Sequence, residues 1–152
     1  MRTLILLIAA ALIMGVLCAP HKRTWRVIST DKAPRPENPR SQAIITDSGV
    51  IETSGCNGVV PSTGKMISDD LGEQMVQSMR NLGAVLEAGN ASYEDVFKCT
   101  VLMGDISYYD KMNQIYGMFF NSSKLPARMA YAVREIPFKG KVEIQCSALS
   151  RD

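Results

Sequence analysis

Two charged residues toward the C-terminal end have the types and spacing for acid–base work on a small anion. Arg128 opens the strand-like run 127–133, Glu143 lies inside the run 141–146, and the turn-prone Pro137-Phe138-Lys139-Gly140 stands between them. Runs of this kind around such a turn read as neighbouring antiparallel strands. On adjacent strands a guanidinium and a carboxylate can share one concave spot, the first holding an anion and the second a water or a proton. Alternation puts Arg128, Ala130, Ala132 and Arg134 on one side and Met129, Tyr131 and Val133 on the other. The small alanines leave room for a small carboxylate against the planar fork of the arginine. Pattern alone favours a structural salt bridge for Arg128, with Glu143 itself as one candidate partner. Glu143 shares its strand side with Gln145 and Ser147, and an outward-facing glutamate is most often simply solvated.

The elements that must position these residues are legible upstream. Trp25-Arg26-Val27-Ile28 reads as a first strand, and Pro34, Pro36 and Pro39 make the next stretch an extended loop, so that residues 20–41 form an N-terminal strand and proline-rich segment. Residues 43–46 and 50–55 read as a β-hairpin around Asp47-Ser48-Gly49, and Gly55 and Gly58 give a close-approach bend before a turn over 61–64. Ser68 is placed as the N-cap of a long helix, with Asp69 and Asp70 in its first turn and Gly89 as its stop. Leu71, Met75, Met79, Leu82 and Leu86 fall on one face of it, a core stripe. Residues 95–103 read as an inner strand. A second helix comes after it, capped by Asp105 or Ser107 and burying Met112, Ile115, Tyr116 and Phe119. Each helix has a single apolar stripe, so both pack on one face of a mixed sheet, leaving the other face to be covered, for instance by oligomerisation.

Certain residues go beyond generic pattern. Pro126-Ala127-Arg128 is succeeded at close spacing by Val142-Glu143-Ile144. Ahead of them stand Ala33-Pro34, Thr53-Ser54-Gly55, Pro61 with Thr63-Gly64, Asn81-Leu82 with residues 85–89, and Tyr116 with Phe119-Phe120. With these, residues 30–150 resemble a single domain of the Rid family, the reactive intermediate deaminases of the YjgF type. The resemblance implies an α+β fold: a mixed β-sheet with two helices on one face, a chorismate-mutase-like (YjgF-like) subunit that closes into a homotrimer with clefts between subunits. It also implies hydrolytic deamination of reactive 2-imino or enamine acids to 2-keto acids and ammonia, without metal, cofactor or nucleophilic side chain. By the same resemblance Glu143 is catalytic, positioning or activating water, and Arg128 with the backbone N–H of Ala130 binds the substrate carboxylate. Ser54, Gly55, Asn113 and the position of Arg40 complete the substrate site. Two departures bear on it. Asn38-Pro39-Arg40 stands where many deaminating members carry Gly-Pro-Tyr, so a second cation replaces a wall and a hydroxyl, which either favours dianionic ligands or abolishes turnover. Cys56 stands where glutamine is common. The alternative is a non-catalytic secreted trimeric module that binds a small carboxylate or a protein partner.

A formal charge of +2, with 21% charged residues and no clustered basic run, describes an ordinary surface and offers nothing to nucleic acid. Arg2 precedes an uncharged apolar run over 3–19, the shape of a signal peptide over 1–19, with a signal anchor as the other reading. A secreted or lumenal location and no membrane association after cleavage are therefore expected. The sequons at Asn90 and Asn121 fit glycosylation there. Beyond Cys18, the cysteines Cys56, Cys99 and Cys146 all fall in strand-like runs without metal-ligand spacing, and read as three buried thiols rather than a disulfide scaffold or zinc site. His21, the only histidine, lies in the tail, so imidazole catalysis is not expected.

Overall fold

The computed structural model describes residues 24–37 and 39–151. The leader, Cys18, His21 and Asn38 lie outside the described residues. One seven-stranded sheet organises the rest, in the order β1-β2-β3-β7-β5-β6, with β4 also paired to β7. The strands are β1 (Trp25–Ile28), β2 (Ala43–Thr46), β3 (Val50–Thr53), β4 (Cys56–Asn57), β5 (Val96–Met103), β6 (Ala127–Ala132) and β7 (Val142–Leu149). The β2–β3 hairpin turns at Gly49, whose φ of 77° suits a residue without a Cβ. All pairings are antiparallel except β5 with β6.

Two helices, α1 (Leu71–Ala88) and α2 (Tyr109–Gly117), carry the apolar stripes that the sheet needs. Leu71, Met75, Met79, Leu82 and Leu86 of α1 are all buried, as their spacing predicts, and meet Ile51, Val101, Ile144 and Ala148 of the sheet. Each such side chain contributes roughly 1.5–3 kcal/mol of burial. The α1 N-cap is Asp70 rather than Ser68. The Asp70 carboxylate accepts from Glu73 N at 2.9 Å, and Ser68 Oγ instead accepts from Asp70 N at 3.1 Å. Asp105 caps a 3₁₀ turn over Ile106–Tyr108 that leads into α2, where Met112 and Tyr116 are buried.

Two expectations need correction. The strands bearing Arg128 and Glu143 are not neighbours, because β5 lies between β6 and β7. The link over 133–141 is too long for a tight hairpin and saddles the end of β5: Val133 N donates to Met103 O at 2.8 Å, and Gly104 N donates to Lys141 O at 2.9 Å. The short α2 between β5 and β6 returns the chain for a parallel pairing at the sheet edge. The cysteines also differ from three buried thiols. Register sets Cys99 of β5 opposite Cys146 of β7, and the two form a disulfide with Cα atoms 4.1 Å apart, while Cys56 is free. A sequence separation of 47 gives no hint of this pairing, which depends on strand order alone.

Candidate functional site: two half-sites on opposite faces of the sheet

Register decides where the charged pair points. Arg128 of β6 lies opposite Cys99, and Cys99 lies opposite Cys146, so all three face the helices. Glu143 is three residues before Cys146 on the same strand, and alternation therefore sends it to the open face. The shared spot expected for the two side chains does not exist within one chain, and neither does the salt bridge between them.

The Arg128 half-site lies at the sheet edge against α2. The guanidinium carbon stands 4.6 Å from the Tyr116 ring centroid, and Nη1 lies 3.7 Å from Met112 Sδ. Both partners are neutral and soft, so the planar group is held in place while its charge stays uncompensated by any described carboxylate. Nearby on α2, Asn113 Oδ1 and Tyr116 Oη are buried without a hydrogen-bond partner among the described residues. Buried polar atoms are rarely left so. Burial pushes the Tyr116 phenol up to about 12, with the Arg128 charge opposing. Ala130 comes next on the same side of β6 and is half-buried.

The Glu143 half-site is built from loops. Between β3 and β4 the chain passes Ser54-Gly55 so closely that a Cβ on Gly55 would come within 2.0 Å of Glu143 Oε1. Only glycine leaves the carboxylate its place. Burial raises the Glu143 carboxyl above the ordinary glutamate value, and the positive charge of Arg40 pulls the other way. The Cys56 thiol is pushed up to about 12, first by burial, then by Glu143, with Arg40 opposing. It is a neutral wall rather than a nucleophile. Arg40, Ser54, Gly55 and Cys56 line one small recess. Ser54 Oγ is committed, donating to Ser41 O at 2.6 Å.

Sequence reasoning missed the residues that hold these loops. Gln42 is buried; its Nε2 donates to the carbonyls of Thr30, Ala33 and Pro34 at 3.0–3.1 Å, and its Oε1 accepts from Thr30 N at 2.7 Å. One amide thus fixes the proline-rich loop that presents Arg40. On α1, Asn81 Nδ2 donates to Asn57 O and Val59 O, each at 2.8 Å, and Gln74 Oε1 accepts from Lys141 N at 2.7 Å. Polar residues interrupting an amphipathic stripe are the available signal, but their partners are long-range. The sequons lie apart from the site: Asn90 has φ 57°, and Asn121 Oδ1 accepts from Ser123 N at 3.0 Å in an exposed turn. Among the described residues no group of three or more His, Cys, Asp or Glu is placed to hold a metal ion.

A mixed sheet with two helices on one face defines a class of fold that known proteins share. The family model described as Endoribonuclease L-PSP matches residues 30–150, and the chain belongs to this family, the YjgF/Rid family. It is 40% identical over 124 residues to human 2-iminobutanoate/2-iminopropanoate deaminase, covering 82% of this chain and 89% of that one. To Reactive Intermediate Deaminase A, chloroplastic, of Arabidopsis thaliana it is 38% identical over 122 residues, 80% of this chain but 64% of the relative's length. Among solved structures, the Rid-family protein YyfA of Yersinia pestis superposes with a TM-score of 0.80 at 31% identity, covering 83% of this chain and 99% of YyfA. TdcF of E. coli, crystallised with bound serine, superposes with a TM-score of 0.75 at 29% identity, covering 82% and 98%.

Proposed function

We propose that this protein hydrolyses 2-imino acids to 2-keto acids and ammonia, as a homotrimer whose clefts each take Arg128 from one protomer and Glu143 from the next. The observation that carries this reading is the division of the site. One chain holds an anion-binding half and a base-bearing half on opposite faces of its sheet, and only a second copy can bring the two together. The open face supports such an assembly, because alternation places Trp25, Val27, Met129 and Tyr131 on it, exposed at 62%, 55%, 54% and 45%. Relatives named for 2-imino acid deamination support the reaction, and a relative holding an amino acid supports the ligand class.

The chemistry asks little of the protein. The substrate carboxylate lies on the Arg128 fork and the backbone N–H of Ala130, which fixes the imine carbon. Glu143 takes a proton from water as the water oxygen bonds to C2 of the iminium. That proton passes to the nitrogen of the carbinolamine, Glu143 takes the hydroxyl proton as C2=O forms and the C2–N bond breaks, and the departing ammonia carries this last proton away as ammonium. Imino acid and water enter; keto acid and ammonia depart. A carboxyl raised above its usual range is the stronger base for the first step.

Subunit mixing tests the division directly. Arg128→Ala and Glu143→Gln trimers, each reduced about 10²-fold or more at subsaturating substrate, are unfolded together, refolded as a mixture and assayed under that condition for keto acid formation from 2-iminobutanoate generated in situ. Random trimers place an intact Arg128 beside an intact Glu143 in about a quarter of clefts, so about a quarter of the unmutated activity returns. No recovery from correctly refolded mixed trimers sinks the shared cleft. An unmutated protein that binds 2-oxobutanoate but turns over no imine is instead the binding module.

We also infer that the chain matures in an oxidising compartment of the secretory route. The Cys99–Cys146 disulfide and the exposed sequons support this. Expressed in secreting cells, residues 24–151 should show one titratable thiol, that of Cys56, after denaturation without reductant; three thiols would refute the inference.

A further inference from the structure

Among the described residues Arg40 is a cation without a partner. It makes no hydrogen bond or ion pair with any of them, whereas Arg35 nearby is closed onto Asp31 at 2.6 Å. Its side chain is exposed, but the backbone that carries it is held: Gln42, two residues on, clamps the preceding loop, and Ser54 Oγ bonds the adjoining Ser41 carbonyl. The guanidinium lines the small recess of Ser54, Gly55 and Cys56, and also a larger one of about 420 Å³ that shares Pro36 and Asn57 with it and extends to Phe138. Its charge reaches both the Glu143 carboxyl and the Cys56 thiol.

An arginine so placed suits only some substrates. Beside a 2-imino acid with an apolar side chain, the guanidinium would face the reacting carbon with nothing to pair and would weaken Glu143 as a base. A substrate with a second carboxylate two or three carbons from the first removes both costs. Its far carboxylate pairs with the Arg40 fork, and the positive field that opposes Glu143 is neutralised at the same moment. The larger recess leaves room for the longer acid.

We propose that Arg40 is a second anion-binding residue and that the cleft selects dicarboxylic 2-imino acids, the four- and five-carbon class formed when acidic amino acids are oxidised. The proposal deepens the deaminase reading and rests on it for turnover, but not for binding. A reaction that oxidises the amino group of an aspartate- or glutamate-like amino acid is what must supply such a substrate.

Two measurements on the whole protein separate the claims. In the first, 2-iminosuccinate, 2-iminoglutarate and 2-iminobutanoate are generated by amino acid oxidases, and kcat/KM for keto acid release is compared for the unmutated chain and Arg40→Gln. The dicarboxylic substrates should be preferred about 10–100-fold, the value of one charge-assisted pair, and Arg40→Gln should erase that ratio. In the second, calorimetry compares 2-oxoglutarate with 2-oxobutanoate as unreactive ligands, and the same ratio should appear and vanish. Turnover of all three imines with no dicarboxylic preference overturns this proposal and leaves the deaminase standing. Selective, Arg40-dependent binding of 2-oxoglutarate with no turnover of any imine upholds the proposal and defeats the deaminase. Equal binding of the two keto acids overturns it outright.

Discussion

The Arg128 and Glu143 half-sites differ in what holds them. Arg128 grows from a regular strand and rests on a helix: its position is set by β5–β6 register, and its orientation by the Tyr116 ring and Met112. Glu143 also sits on a regular strand, paired with Asn57 and Leu102, yet loops come up against its side chain, from the Ser54-Gly55 crossing to the Arg40 segment clamped by Gln42. On the proposed reading the first half grips one invariant feature of a substrate, a carboxylate. The second lies where residues can be exchanged without disturbing the sheet, and the proposal for Arg40 places selectivity there. A site divided in this way separates recognition of a class from choice of its member.

Kinetics of the two central variants give the largest effects and the sharpest break. Glu143→Gln keeps shape and removes the base, so kcat should fall about 10²–10⁴-fold with little change in KM. Arg128→Ala removes the anchor and should cost about 10²-fold in kcat/KM, much of it in KM. Arg128→Lys should rescue it poorly, because an ammonium has no fork to match a carboxylate and stacks less well on Tyr116. If both variants changed only kcat, the division into a gripping half and a reacting half would be wrong.

The contrast also explains what could be read from the chain before its structure. Strand and helix identities and both apolar stripes rest on local period, which survives in sequence, and short motifs single out Arg128 and Glu143 as candidates. Their relation in space does not survive in sequence. That β5 intervenes between β6 and β7 depends on which edge the chain returns to after α2, and a link over 133–141 permits either. The same unknown hid the Cys99–Cys146 disulfide, since both pairings require the order β7-β5-β6. Gln42 escaped because a buried amide bonding three carbonyls looks, in sequence, like any polar residue at a strand end.

Two glycines of the loop half offer a finer test, because they are required for different reasons. A Cβ on Gly55 meets the far end of the Glu143 side chain, with Oε1 at 2.0 Å and Cδ at 2.6 Å. A flexible side chain can move, so Gly55→Ala should displace the carboxylate and lower kcat more than about tenfold while leaving the melting temperature nearly unchanged. A Cβ on Gly58 meets α1 backbone instead, with Gln74 Cα at 2.8 Å. Gly58→Ala should therefore destabilise the fold by about 1–3 kcal/mol, as overpacking does, and affect activity only through the amount of folded protein. The reverse assignment of effects would mean that Glu143 does not use the space beside Gly55.

The smallest effect is a displacement along the pH axis, and it should arise from one half alone. The Glu143 carboxyl is raised by burial and pulled down by Arg40, so the acidic limb of the kcat profile should lie above the ordinary glutamate range, with activity rising as Glu143 loses its proton. Arg40→Gln removes the opposing charge and should move that limb to still higher pH. Stability carries the matching sign. Between the unfolded and folded values the native chain binds more protons than the unfolded chain, so stability falls as pH rises through that window, and Glu143→Gln should abolish this part of the slope. The Arg128 half has no counterpart in acid, since the Tyr116 phenol, pushed up to about 12, stays neutral throughout. Substituting Tyr116 with phenylalanine keeps the ring under Arg128 and should leave the acidic limb where it was. A limb that moved with Tyr116→Phe and not with Arg40→Gln would place the base in the wrong half of the site.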